Sequence, residues 1–240
     1  MSLFFKVHHK FGYDASFRES NTNAINAALE KFATQLRSET VIINSEQDFD
    51  DFRVEDVIFN FVNKRGLRNP PPGWLPGEIG VWISNVLALK EFLDKSTSDS
   101  DTCLLLESDV WLNLEGDVLC NCIEIWEGGI PCGWDFLNLY VAENWRYLFD
   151  PSIHEFSEGL VCKNYAEVHI PAILWSRKGA LKMLNVANNL IHSPIDRQLF
   201  EDRSFEGYAL KPEFHSNVSL WTSEALDNST IQNSNIRILL

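Results

Sequence analysis

The chain has 240 residues, a hydrophobic fraction of 45% and a formal net charge of −14 at pH 7. This length allows one large domain or two small ones with a substantial buried core. The acidic balance argues against a general nucleic-acid binder, because phosphate backbones are bound by clustered lysines and arginines. No stretch approaches the roughly 20 apolar residues that cross a bilayer.

The N-terminal residues and the cysteines favour a cytoplasmic protein. Residues 1–10 lack the basic and then apolar pattern of a signal peptide, and residues 3–7 predict a first strand. The five cysteines form no paired framework, and Cys103 lies on a predicted core strand. We therefore expect reduced, mostly buried thiols.

The first 43 residues predict the start of a Rossmann-like unit. After the first strand, residues 11–20 predict a loop that contains Arg18, and residues 22–36 predict a helix with apolar side chains at helical spacing. Val41, Ile42 and Ile43 predict a short second strand. Strand, helix and strand in this order open a βαβ arrangement. No glycine-rich fingerprint follows the first strand, which argues against a dinucleotide enzyme.

Residues 63–74 predict a loop, because they hold three cations, a proline run and Trp74. Two interpretations remain open for this loop. It is either a surface linker or a flexible loop over an active site. In the second interpretation, Arg65 or Arg68 contacts a phosphate and Trp74 stacks on a sugar ring. Residues 76–95 then predict a helix in which Glu78 and Asn85 share a stripe beside the apolar face.

The segment Cys103-Leu104-Leu105-Leu106-Glu107-Ser108-Asp109 is the most informative part of the chain. Its apolar run predicts a strand buried on both faces, as in a parallel sheet between helices. Glu107 and Asp109 follow at the strand end, where two carboxylates can point at one divalent cation such as Mg²⁺ or Mn²⁺. The alternative interpretation is a loop whose acids cap the next helix.

The second half of the chain continues the alternation of strands and helices. Asp196 lies in the first turn of a short predicted helix, where an acid also complements the helix dipole. Residues 145–163 allow no assignment, and the sequence from residue 208 onward is loosely patterned. The predicted elements are a helix over 115–126, strands over 135–140 and 169–175, a helix over 177–190 capped by Ser176, and a short helix from 193 to about 202.

Six short segments carry a further pattern. They are Pro76-Gly77-Glu78-Ile79-Gly80 with Ser84-Asn85, Leu105-Leu106-Glu107-Ser108-Asp109-Val110, Trp134-Asp135-Phe136, Ser176-Arg177-Lys178-Gly179-Ala180, Pro194-Ile195-Asp196, and Lys211-Pro212 before His215. In this order they resemble glycosyltransferase family 25, which includes lipooligosaccharide and collagen galactosyltransferases. The resemblance covers about residues 75 to 220. Two positions depart from the family, because Asn85 replaces a histidine and Ser108 replaces the middle aspartate of Glu-Asp-Asp.

The resemblance implies a GT-A-type α/β fold, with a Rossmann-like, mixed but mostly parallel sheet flanked by helices. It also implies a single glycosyltransferase domain over residues 1–240. In that organisation, residues 1–75 form a nucleotide-binding half with a variable loop, residues 76–220 form the family-like core, and residues 221–240 form a tail.

The function implied by the resemblance is an inverting hexosyltransferase that depends on Mn²⁺ or Mg²⁺. The donor is UDP-galactose or UDP-glucose, and the acceptor is a glycan or a glycosylated molecule. In the DxD-like motif, Asp109 is the expected metal ligand, and Glu107 is a second ligand or a ribose contact. His215, late in the chain, is the expected third ligand, and Asp196 is the expected catalytic base. The residues expected to bind the donor or the acceptor are Glu78, Ser84, Asn85, Arg65, Arg68, Trp74 and Arg18.

Two other functions remain open at this point. The departures at Ser108 and Asn85 allow a catalytically inactive relative that binds a sugar nucleotide or a glycan. A metal-dependent hydrolase that uses the same acids is a further alternative. Such hydrolases often need a second cluster of acids or histidines to hold a second metal, and the sequence shows no obvious one.

Overall fold

A computed structural model describes residues 2–8, 15–42, 76–108, 110, 116–139, 161–163, 171–189, 193–202 and 204–210. This part of the chain contains seven strands and five helices. The strands are β1 Leu3–His8, β2 Thr34–Gln35, β3 Thr102–Glu107, β4 Phe136–Asn138, β5 Val161–Lys163, β6 Ala172–Ser176 and β7 Gly207–Leu210. The helices are α1 Ala15–Leu29, α2 Pro76–Lys95, α3 Gly116–Gly128, α4 Arg177–Asn189 and α5 Ile195–Glu201.

The strands form one sheet in the order β2-β1-β3-β6-β4-β7-β5. β2, β1, β3, β4 and β7 run in one direction, whereas β6 and β5 run in the opposite direction. Helices cover both faces. The predicted α/β fold class, a mixed but mostly parallel Rossmann-like sheet between helices, is therefore confirmed.

The alternation of side chains along β3 divides the core into two layers. Cys103 and Leu105 face a layer that contains residues of α2, α4 and α5. Leu104 and Leu106 face a layer that contains residues of α1 and α3. Because helices cover both faces, every residue from 102 to 106 is buried. This explains why the strand appears in the sequence as an unbroken apolar run.

The order of the strands reverses between β1 and β3. From β1 the chain crosses through α1 on one face to β2, and it reaches β3 through α2 on the other face. β1 and β3 are parallel neighbours whose chain connections leave in opposite directions, which defines a topological switch point. In open α/β sheets, ligands bind in the crevice outside the carboxyl ends of the strands at such a point.

The start of the chain differs from the prediction in two respects. α1 occupies residues 15–29 instead of 22–36, so residues 15–20 are helical and do not form the predicted loop. Leu36 is buried but lies beyond the helix, and Phe32 is 50% exposed. Their spacing continues the apolar pattern of the helix, but the chain leaves the helix after Leu29.

The second strand was also predicted at the wrong place. β2 is Thr34–Gln35, which pairs with Phe4 and Phe5 of β1, and residues 41–42 lie outside the sheet. Val41 is buried because it packs in the core beside α2. Its backbone amide donates a hydrogen bond to the Ser84 hydroxyl, where a strand residue would bond to a neighbouring strand. The strand predicted over residues 41–43 is therefore wrong at Val41 and Ile42, and Ile43 lies outside the described residues.

The later elements agree with the predictions at the level of helices and strands, with shifts of a few residues at their ends. Two short strands were not predicted. β5 lies in the segment that allowed no assignment, and β7 begins at Gly207. A side chain at Gly207 would lie 2.2 Å from the Phe136 ring, so glycine permits the close contact between β7 and β4. Among the described helices, none is both long and apolar enough to cross a bilayer.

Candidate functional site

Glu107 and His8 lie side by side at the carboxyl ends of the two strands that flank the switch point. They are the last residues of β3 and β1, and they are partners in the register of this parallel pair. Neighbouring strands are about 4.8 Å apart. By strand alternation, both side chains belong to the face covered by α2, α4 and α5. Glu107 is partly exposed, whereas His8 is 7% exposed.

The first turns of two helices reach the same edge of the sheet. α2 ends at Lys95, shortly before β3 begins, so its N-terminus lies toward the carboxyl end of β3. β6 is antiparallel to β3 and leads directly into α4, which returns to this edge before α5 begins. The Trp82 indole donates a 2.9 Å hydrogen bond to the Ser193 carbonyl, which joins the start of α2 to the start of α5.

Two predicted site residues therefore lie at the edge that carries Glu107. Glu78 is in the first turn of α2, and Asp196 is in the first turn of α5, as the sequence predicted. Both side chains are partly exposed. The Asp196 Oδ1 atom accepts a 2.8 Å hydrogen bond from the Arg197 amide, so this carboxylate binds one backbone donor in the first turn of its own helix, whose N-cap residue, Pro194, provides no side-chain cap.

Ser84 and Asn85 are buried and hydrogen-bonded to backbone groups. The Ser84 hydroxyl accepts a 2.8 Å hydrogen bond from the Val41 amide and donates one to the Gly80 carbonyl. The Asn85 Nδ2 group donates a 2.9 Å hydrogen bond to the Val81 carbonyl one turn earlier. The bond between Val41 and Ser84 holds Val41 against α2. Contact of either side chain with a donor or an acceptor stays a prediction.

The other predicted site residues lie outside the described residues. They are Asp109, His215, Arg65, Arg68 and Trp74. Arg18 lies in α1, but only its backbone is described. Within the described residues, no group of three or more His, Cys, Asp or Glu side chains could hold a metal ion. Glu107 supplies the carboxylate donor that Mg²⁺ and Mn²⁺ prefer, at a partly exposed strand end, so it fits one position of the predicted metal site.

Asn21 is a candidate residue that the sequence did not identify. It lies on α1, and its Nδ2 group donates to the Ser108 carbonyl at 2.9 Å and to the Val110 carbonyl. Its side chain thus connects α1 to the residues on both sides of Asp109. The sequence placed Asn21 at the border between a loop and a helix. The sequence could have indicated Asn21 in one way. It is a polar residue four positions before Ile25, so it continues the apolar stripe of the helix.

Two of the segments that carry the family resemblance meet at the opposite edge of the sheet. The Ser176 hydroxyl accepts a 2.9 Å hydrogen bond from the Gly179 amide, so Ser176 caps α4 as predicted. The same hydroxyl donates a 2.8 Å hydrogen bond to the Trp134 carbonyl. A side chain at Gly179 would lie 1.9 Å from the Asp135 carbonyl oxygen, so glycine is required for this contact between α4 and the start of β4.

Asp135 carries a buried charge at this opposite edge. Its side chain is 0% exposed, and the ammonium groups of Lys182 and Lys178 lie 2.8 Å and 3.1 Å from its two carboxylate oxygens. The Glu206 amide donates a further 2.8 Å hydrogen bond to it. A buried carboxylate is tolerated when cations and donors compensate it in this way. The Trp-Asp and Ser-Arg-x-Gly-Ala segments therefore anchor α4 to the sheet, away from Glu107.

Comparisons with known proteins add little to this geometry. No protein-family model matches the chain, and no curated protein matches it. Among solved structures, the chain is similar to the crystal structure of mouse xyloside xylosyltransferase 1 in its apo form. The TM-score is 0.35 and the identity is 10%, over 86% of this chain and 77% of that chain. A likeness of this size assigns neither a family nor an activity, and membership of glycosyltransferase family 25 is not confirmed.

Proposed function

We propose that the chain is a glycosyltransferase that binds a nucleotide-sugar donor in the crevice outside β1 and β3. One observation carries this proposal. Glu107, the first acid of the predicted motif, ends a strand buried on both faces at the switch point of the sheet, beside His8. This is the position at which α/β sheets bind ligands, and a carboxylate there suits a cation that accompanies a diphosphate.

The finer assignment is supported by the resemblance of the six segments. We propose a UDP-hexose donor, either UDP-galactose or UDP-glucose, and a glycan acceptor. Glu107, Asp109 and His215 are the proposed ligands of Mn²⁺ or Mg²⁺. When bound, such an ion supplies positive charge that stabilises a departing diphosphate.

Asp196 is the proposed base of the reaction. Its carboxylate accepts the proton of the acceptor hydroxyl while the hydroxyl oxygen forms a bond to the anomeric carbon of the sugar. The bond from that carbon to the diphosphate oxygen breaks, and its electron pair leaves with the diphosphate. Attack from the face opposite the leaving group inverts the anomeric centre. Placement of Asp196 at the same edge as Glu107 supports this role.

The remaining proposed contacts surround the donor. Glu78 lies at the correct edge to bind hydroxyl groups of the donor or the acceptor. Arg65 or Arg68 is the proposed phosphate contact, Trp74 is the proposed platform for a sugar ring, and Arg18 is a further proposed contact with the donor or the acceptor. Cations suit a diphosphate, and aromatic faces suit the apolar side of a sugar.

A catalytically inactive relative is the second outcome to be tested. Ser108 is one of the two residues that allow an inactive relative, because it replaces a carboxylate of the family motif. Its side chain, however, is fully buried. Ser108 itself therefore does not line the exposed edge of the sheet. Glu107, the acid before it, remains partly exposed.

The proposal is tested by UDP release from UDP-galactose and UDP-glucose with Mn²⁺ present. Glu107→Gln removes one proposed carboxylate ligand of the metal. We expect it to lower turnover at least about tenfold, because even the loss of a group that only supports a metal ligand lowers activity by that factor. Glu124→Gln is the matched control, because Glu124 is exposed on α3. Equal turnover in both variants contradicts the proposal. UDP binding without turnover in the wild type indicates the inactive relative.

A further inference from the structure

Asn21 occupies a position on α1 where an apolar residue would continue the core. Asn21, Ile25 and Leu29 follow one another at intervals of four, and all three are buried. This stripe packs on the layer that contains Leu104 and Leu106 of β3. A buried amide without partners destabilises a protein, so an asparagine here needs hydrogen bonds.

The partners of Asn21 are the backbone carbonyls at the end of β3. Its Nδ2 group donates to Ser108 and to Val110, which lie 87 and 89 residues further along the chain. An amide group carries two N–H donors, so the two carbonyls use both of them. One side chain therefore fixes two backbone positions that are separated by a single residue, Asp109.

Two backbone hydrogen bonds complete this arrangement. The Ser108 amide donates to the His8 carbonyl at 2.9 Å, which continues the pairing of β1 with β3. The Val110 amide donates to the Glu107 carbonyl at 3.0 Å, which closes a tight turn. We call the three described residues Glu107, Ser108 and Val110 the acid turn. It is held by β1 on one side and by α1, through Asn21, on another.

We infer that Asn21 is a positioning residue for the acid turn. It fixes the backbone that follows Glu107 relative to the sheet, without contacting a ligand itself. The inference rests on the proposed function for its catalytic meaning, but the structural link stands on the hydrogen bonds alone. An amide nitrogen is needed, because an ionised aspartate has no donor and would repel both carbonyl oxygens.

The structural link is tested by hydrogen exchange at the Ser108 and Val110 amides. Asn21→Ala removes both donors, and we expect exchange at Val110 to become about five- to tenfold faster, the factor that one net hydrogen bond provides. Asn21→Ser is the second variant if the alanine variant does not fold. Ile25→Val, on the same stripe, is the matched control for lost packing. Unchanged exchange at Val110 in the Asn21 variants overturns the inference.

The catalytic consequence is tested by Mn²⁺ affinity, measured from the spin resonance signal of free Mn²⁺. We expect the Asn21 variants to raise the Kd for Mn²⁺ about tenfold, because a displaced outer-shell partner weakens a metal site by that order. Ile25→Val should leave this Kd unchanged at a similar loss of Tm. If the Kd rises in the Asn21 variants and in Ile25→Val alike, in proportion to the loss of Tm, Asn21 has only a packing role. A wild-type protein that binds no Mn²⁺ refutes the metal-dependent function, and hydrogen exchange still decides the role of Asn21.

Discussion

If Asp196 is the base proposed above, its substitution separates binding from chemistry. Asp196→Asn keeps the shape of the side chain but removes the proton acceptor. We expect UDP affinity near the wild-type value and a kcat about 10²- to 10⁴-fold lower, the usual contribution of a general base. Calorimetry with UDP and an assay of UDP release measure the two quantities.

Asp99→Asn is the control for this substitution, because the Asp99 side chain is fully exposed. It should change neither quantity. An unchanged kcat in Asp196→Asn would assign the base to another carboxylate. Glu78 is then the first candidate, since it lies at the same edge of the sheet, and Glu213 is the next.

Single residues differ in how far the sequence can predict their role. The position of Glu107 was predictable, because an acid that ends an unbroken apolar run emerges at the end of a buried strand, whereas its role as a metal ligand stays a prediction. The contacts of Asn21 could not be predicted, because its partners lie more than 80 residues away and are backbone carbonyls, which every residue provides. Asp135 belongs to a segment of the family resemblance, but its structural role could not be predicted. Its buried charge is compensated by Lys178 and Lys182, which lie on a separate element.

The contact between α4 and the start of β4 gives a prediction for a whole element. Gly179→Ala would normally favour a helix by about 1 kcal/mol. Here the added methyl group would lie 1.9 Å from the Asp135 carbonyl oxygen. We therefore expect a net loss of about 1–3 kcal/mol in the free energy of unfolding, as overpacking produces. Urea denaturation measures this change.

Gly128→Ala is the matched control on another helix. No atom lies within 4 Å of a side chain added there. Its stability should be unchanged or slightly higher. If Gly179→Ala were as stable as Gly128→Ala, the close approach of α4 to Asp135 would not exist in solution.

Elements were predictable where local signals mark them. α2 begins with Pro76 and an acid in its first turn, and α4 begins with a serine cap, so their starts were found. β2 has two residues and β5 has three, and neither contains an extended apolar run. Such short strands form because neighbouring strands offer backbone hydrogen bonds, a tertiary cause that no local pattern reveals.

The stability of the whole molecule should depend on pH through Glu127. Burial raises the pKa of this carboxyl from 4.5 to about 7, the charge of Glu124 adds to the rise, and the Thr102 hydroxyl opposes it. Between these two pH values, the unfolded chain has lost a proton that the folded chain retains. The contribution of Glu127 to stability is therefore present below pH 4.5, decreases up to about pH 7, and is constant above it.

Glu127→Gln should remove this dependence. We expect the variant to gain stability relative to the wild type between pH 5 and pH 8, by an amount on the order of 1–3 kcal/mol. Glu30→Gln is the control, because Glu30 is exposed. Urea denaturation at both pH values gives the difference. Parallel pH profiles for the wild type and Glu127→Gln would show that Glu127 ionises normally in the folded protein.

The pairing of β1 with β3 has a consequence for biosynthesis. Ser2 and Asp101, which precede these strands and contact each other, are 99 residues apart. Within the described sheet, neighbouring strands are joined by long connections and not by tight hairpins. Non-local pairing of this kind slows folding and leaves apolar strands exposed during synthesis. About a hundred further residues must therefore leave the ribosome before β1 can pair with β3. We expect the soluble yield to rise with slower translation or with added chaperones.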